Sequence, residues 1–137
     1  MRIALLGYGK MGKTIEHIAQ AKGHDIVVRA NSSQSNMDLS SADVAIEFSV
    51  PDAAVANIIS CFEQGVPVVS GTTGWLDRYD EILNICEERN GSFIYASNFS
   101  IELAQTINTS RKGRELLKLV HQDTQVVENM VECSRRL

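Results

Sequence analysis

The chain alternates between short unbroken apolar runs and longer stretches whose apolar residues recur every three or four positions. The first run, Ile3-Ala4-Leu5-Leu6, is too short and too tightly bounded for a helix and suits a buried strand. Met11, Ile15, Ile18, Ala19 and Lys22 then fall four, three, one and three apart, which marks one helix face over about 10–22. Gly23 follows as a C-terminal stop. The two signals then repeat. Strands are predicted at 24–30, 42–48, 66–70 and 92–96, and helices over 53–64 and 77–90, stopped by Gly65 and Gly91. Ser49 is read as the cap of the second helix, with Pro51 in its first turn and Asp52 three residues after the cap, as in a capping box. Residues 31–41 are polar and loop-like, where a helix would often stand. Trp75 is expected to pack rather than to stack on a ligand.

Beyond Ile101 the alternation ends. Leu116, Leu117 and Val120 make one apolar stripe, and Val126, Val127, Met130 and Val131 another, so short helices are expected there. Five strands joined by right-handed crossovers imply a parallel sheet, expected in the order 3-2-1-4-5. The expected fold class is α/β, a Rossmann-like doubly wound sheet over residues 1–101 with a helical tail over 102–137.

The turn between the first strand and the first helix is Gly7-Tyr8-Gly9-Lys10-Met11-Gly12. A lone G-x-G-x-x-G is a weak signal, but strand before and helix after are the context that gives it meaning. Gly7 permits the tight turn, Gly9 lets a pyrophosphate approach the backbone, and Gly12 lets the helix pack close to the strand. Free N–H groups and the helix dipole favour an anion at this end. The position after the second strand is Asn31, with Arg29 two residues before it. An acid there would hold the ribose 2′-OH of NAD and repel a 2′-phosphate, so Asn31 and Arg29 lean toward NADP or dual use. Phe48 and Ser49, and the turn Gly71-Thr72-Thr73-Gly74, lie at the carboxyl ends of predicted strands, where ligands of such sheets collect.

Composition narrows the partners. In 137 residues, 44% are hydrophobic and the net charge is −4, with no dominant basic cluster, so nucleic acid and anionic membrane are not expected partners. No apolar run approaches the roughly 20 residues that span a bilayer, and Gly7 to Lys13 interrupt any leader-like stretch. Cys61, Cys86 and Cys133 have no zinc-ligand spacing and are read as buried free thiols, which suits a reducing cytoplasm. No metal site and no catalytic residue are assigned from the sequence.

Taken together, Gly7 to Gly12, Glu47-Phe48-Ser49-Val50-Pro51, Gly71-Thr72-Thr73-Gly74-Trp75 and Ser97-Asn98-Phe99-Ser100-Ile101 resemble, in order, the nucleotide-binding half of the dihydrodipicolinate reductase (4-hydroxy-tetrahydrodipicolinate reductase) family. The resemblance implies that NADH or NADPH donates hydride to a cyclic imine dicarboxylate of the diaminopimelate route to lysine. It implies that Gly7 to Gly12 cradle the pyrophosphate, that Asn31 stands where many members place an acid, and that Gly71, Thr72 and Thr73 hold the nicotinamide side. Ala96, Ser97, Asn98 and Phe99 would line the same pocket, and a homo-oligomer is implied. Two departures stand out. Glu102 replaces the glycine that usually follows the Asn-Phe-Ser stretch, and the His-His-x-x-Lys signature of a substrate domain is absent from the sequence. The chain is therefore expected to bind nucleotide with little turnover of its own. A non-catalytic NAD(P)-binding module, or a different NAD(P)-dependent dehydrogenase completed by a partner chain, are the rival readings.

Overall fold

The computed structural model describes residues 1–31 and 36–95. The expectations for Ala96 to Phe99 and for the helical tail over 102–137 lie outside the described residues. In chain order the elements are β1 (Arg2–Leu6), α1 (Lys10–Ala21), β2 (Asp25–Ala30), β3 (Val44–Glu47), α2 (Pro51–Glu63), β4 (Val68–Ser70), a single 3-10 turn (Leu76–Arg78), α3 (Tyr79–Glu88) and β5 (Phe93–Tyr95). All four strand pairings are parallel.

The expected strand order is corrected: the sheet runs β2-β1-β3-β4-β5, so β3 pairs with the free side of β1 instead of lying outside β2. The reason is burial. A central parallel strand is covered on both faces and an edge strand is not. Every residue of β3 is buried, whereas β2 exposes Asp25, Val27 and Arg29 and fits an edge. The crossover between them holds no helix among the described residues. It is pinned instead by Gln64, whose side chain accepts from the Leu39 N–H at 2.7 Å and donates to the Met37 carbonyl at 2.8 Å.

Each face of the sheet carries its own core. Ile3, Leu5, Ile26, Val44, Ile46, Val69 and Ile94 meet Ile15 and Ala19 of α1. On the other face Ala4, Leu6, Ala45 and Val68 meet Ala54, Val55, Ile58 and Phe62 of α2 and Ile82 and Cys86 of α3. Trp75 is only 2% exposed and packs with Tyr79, Phe93 and Tyr95, as read from sequence. Helix coverage thus switches faces between α1 and α2, which places the topological switch between β1 and β3.

Three local readings change. Ser49 does not cap α2: Val50 holds that position, with no side-chain cap bond, and Pro51 begins the helix. The third helix opens with the 3-10 turn before α3. Its stop is Asn90, at φ +53°, rather than Gly91. Gly91 serves packing, since a Cβ there would lie 2.8 Å from the Phe62 ring.

Candidate nucleotide site at the carboxyl edge

The register sets the site. Ala30, Leu6, Glu47, Ser70 and Tyr95 align as the last rung across the five strands. The next residues, Asn31, Gly7, Phe48 and Gly71, therefore start the turns along one edge. Main-chain bonds extend the ladder into them: Gly7 N–H to Ala30 O at 2.8 Å, Phe48 N–H to Leu6 O at 2.8 Å, and Gly71 N–H to Glu47 O at 2.9 Å. Four separate sequence readings thus converge on the switch point.

The glycine turn is built by close approach. Gly7 has φ +103°, and a Cβ there would sit 2.0 Å from the Phe48 carbonyl oxygen. At Gly12 a Cβ would lie 2.3 Å from the Gly7 oxygen. Gly9 differs: a Cβ would meet nothing within 4 Å, so its bareness opens space instead of relieving a clash. Gly9 is the N-cap of α1, and the first ladder bond is Lys13 N–H to Gly9 O at 3.1 Å. Helix geometry leaves the amides of Lys10, Met11 and Gly12 without an intrahelical acceptor. The first turn holds no acidic residue, and Lys10 and Lys13 are exposed. A doubly charged diphosphate fits these features, because bare amides, the dipole and two ammonium groups all favour an anion.

Beside this turn Tyr8 lies over α1. Its hydroxyl donates to Glu16, which also receives Arg29 Nε at 2.9 Å, the Arg29 guanidinium in an ion pair, and Gln20 Nε2 at 3.1 Å. The hydrogen bonds from Arg29 and then Tyr8 hold the Glu16 carboxyl below its usual range, and the bond to Glu16 pushes the Tyr8 phenol up. Arg29 also donates to the Ile26 carbonyl at 3.2 Å. The side chain read as tolerant of a 2′-phosphate is therefore engaged, while Asn31 is exposed at the end of β2.

The turns after β3 and β4 are built differently. Glu47 is 0% exposed. Its Oε1 accepts the Ser49 N–H at 3.0 Å, the Thr72 hydroxyl at 2.9 Å and the Ser49 hydroxyl. Its Oε2 accepts the Ser70 hydroxyl at 2.6 Å. Asn57 Nδ2 donates to Ser49 Oγ at 3.2 Å, and Trp75 Nε1 donates to the Thr72 carbonyl at 2.7 Å. Thr72 is buried, Thr73 is exposed, and Gly71 is held bare by the Phe48 ring, which a Cβ would approach to 2.2 Å. The sequence reading named Ser49 and Thr72 but missed Glu47, Ser70 and Asn57. The signal for Glu47 was a lone acid ending an otherwise apolar run.

The fold and this edge define a doubly wound α/β protein of the Rossmann-like class, with a glycine-rich first crossover at the switch point. A family model described as "Dihydrodipicolinate reductase, N-terminus" matches residues 1–99, and the chain belongs to that family. It is 54% identical over 123 residues to a 4-hydroxy-tetrahydrodipicolinate reductase of Christiangramia forsetii, covering 84% of this chain and 52% of that protein. It is 36% identical over 80 residues to the enzyme of the same name from Beutenbergia cavernae, covering 56% of this chain and 32% of that one. The chain thus spans about half the length of the first relative and a third of the second. A hyperthermophilic archaeal homoserine dehydrogenase mutant, solved in complex with NADPH, shares the fold with a TM-score of 0.57 at 14% identity, covering 75% of this chain and 47% of that one. No helix among the described residues is long and apolar enough to cross a membrane.

Proposed function

We propose that the chain binds a reduced nicotinamide dinucleotide, NADPH or NADH, along the carboxyl edge of its sheet. It would act as the cofactor half of a 4-hydroxy-tetrahydrodipicolinate reductase in diaminopimelate and lysine biosynthesis. One observation carries the reading: Gly7, forced bare against Phe48, brings the open N-terminus of α1 to the switch point between β1 and β3. The amides of Tyr8 to Gly12 would hold the pyrophosphate, and Lys10 and Lys13 would add charge. Asn31 would meet the adenosine ribose. Phe48, Ser49, Gly71, Thr72 and Thr73 would form the wall on the nicotinamide side, continued by Ala96, Ser97, Asn98 and Phe99. When bound, the nicotinamide supplies the hydride, and the protein's part is position and exclusion of water.

Residues 1–101 are proposed as the nucleotide domain, with 102–137 standing where the longer relatives continue. The sequence carries no His-His-x-x-Lys signature, so little or no reduction of the cyclic dicarboxylate is expected from these 137 residues. The buried free thiol Cys61 favours the cytoplasm as the compartment, and a homo-oligomer is the assembly suggested by the resemblance. Calorimetric titration with NADH and NADPH tests the central statement: saturable binding with either supports it, and no heat at millimolar nucleotide refutes it. Following NADPH oxidation with the pathway intermediate then separates an active reductase from a binding module.

A further inference from the structure

We propose that Glu47 is a positioning residue for the nicotinamide half of the site, its carboxylate tying together the two turns that form that wall. The inference rests on the nucleotide reading above. A fully buried carboxylate is costly unless its oxygens are satisfied, and an apolar residue of similar volume would often be as stable. Among the described residues no Lys, Arg or His pairs with Glu47. Its acceptor capacity goes instead to groups on two separate turns. Oε1 gathers Ser49, one residue beyond Phe48, and Thr72, one residue beyond Gly71, while Oε2 anchors Ser70 at the end of β4. The Ser49 N–H is shared with Thr72 Oγ1 at 2.9 Å, so the turns are also linked directly.

The arrangement is one-sided. The glycine turn receives none of these bonds, and β3 is held to β1 at this level by the main-chain Phe48 N–H to Leu6 O bond. Loss of the carboxylate should therefore loosen the nicotinamide wall and leave the diphosphate cradle in place. A glutamine at 47 keeps the volume but turns one acceptor end into a donor, which must face at least one of the hydroxyl donors now bound there.

The test compares two ligands on the full 137-residue chain. NADH reaches both halves of the site, whereas ADP-ribose lacks the nicotinamide. Glu47→Gln is expected to weaken NADH about tenfold, the size of one lost charge-assisted bond, and to leave ADP-ribose within about twofold. A purely structural role would weaken both ligands alike or neither, and either result overturns the proposal. If Glu47→Gln does not fold by thermal melting, Ser70→Ala carries the test. It removes only the Oε2 bond and should weaken NADH about threefold with ADP-ribose unmoved; equal change in both ligands refutes it. A wild-type chain that binds neither ligand overturns the nucleotide reading and this inference together. A wild type that binds both, with an unselective variant, overturns this inference alone.

Discussion

Two neighbouring parts of one sheet edge are made from opposite materials. The first crossover is shaped by missing side chains: Gly7 and Gly12 are bare because backbone atoms stand 2.0 and 2.3 Å from where a Cβ would be. The turns after β3 and β4 are shaped by side chains that are present, three hydroxyls and an N–H converging on one buried carboxylate. The first region cannot tolerate an added atom at Gly7 or Gly12, and the second cannot tolerate a lost acceptor. A ligand spanning both would thus be held by main-chain groups at one end and by an internally braced wall at the other.

The largest effect that could break this comparison is at Gly7. Gly7→Ala combines a left-handed φ of +103° with a contact to backbone that no rotamer change relieves. It should cost about 3 kcal/mol or more in stability, read from urea unfolding. A loss under about 1 kcal/mol would mean that the turn moves freely and that the close approach is not what shapes it.

Gly9 gives the contrasting result within the same motif. Nothing lies within 4 Å of its would-be Cβ, so Gly9→Val should leave the fold nearly unchanged. The new side chain would occupy the space in front of the α1 amides, and NADH affinity should fall about tenfold or more by titration. Unchanged affinity would remove the diphosphate from this turn.

At the outer end of the first region, charge rather than shape is expected to decide. Asn31→Asp should favour NADH over NADPH by about fivefold, since a carboxylate accepts from a ribose hydroxyl and repels a 2′-phosphate. Glu16→Gln should act in the opposite sense, by about threefold, because it releases Arg29 from its ion pair. Titrating both nucleotides against both variants checks the pair; an unmoved ratio in each would show that neither position faces the 2′ group.

These contrasts explain what the sequence revealed. The strands, helices and glycine turn are local patterns, and their chemistry lies within a dozen residues, so they were readable. The strand order was not, because neighbours in a parallel sheet are chosen by burial across the whole fold. In hindsight the charged Asp25 and Arg29 marked β2 as an edge, and the uninterrupted Val44-Ala45-Ile46 marked β3 as central. The sequence puts Ser49 where a helix cap would stand, but its hydroxyl donates to Glu47 two residues back and accepts from Asn57 eight residues on. Glu47 was hidden for the same reason: its partners Ser70 and Thr72 lie 23 and 25 residues away.

The smallest effect sharpens the comparison from the inside. Cys61 of α2 is 0% exposed, and burial, with a smaller contribution from the Glu47 charge, pushes its thiol up to about 12. A thiol whose pKa is raised on folding keeps its proton longer in the native state. Its stabilising contribution is full below the ordinary thiol range and declines as pH rises from about 9 toward 12. At pH 8 the native chain should therefore resist iodoacetamide at Cys61, with peptide mapping showing modification only after denaturation. In Glu47→Gln, protection should weaken a few-fold if the loosened turns let this core open more often. The same readout in Glu16→Gln should not move, since that cluster lies on the opposite face, over α1. Equal exposure of Cys61 in both variants would mean that the two regions open as one unit, and that their difference in construction has no counterpart in their motion.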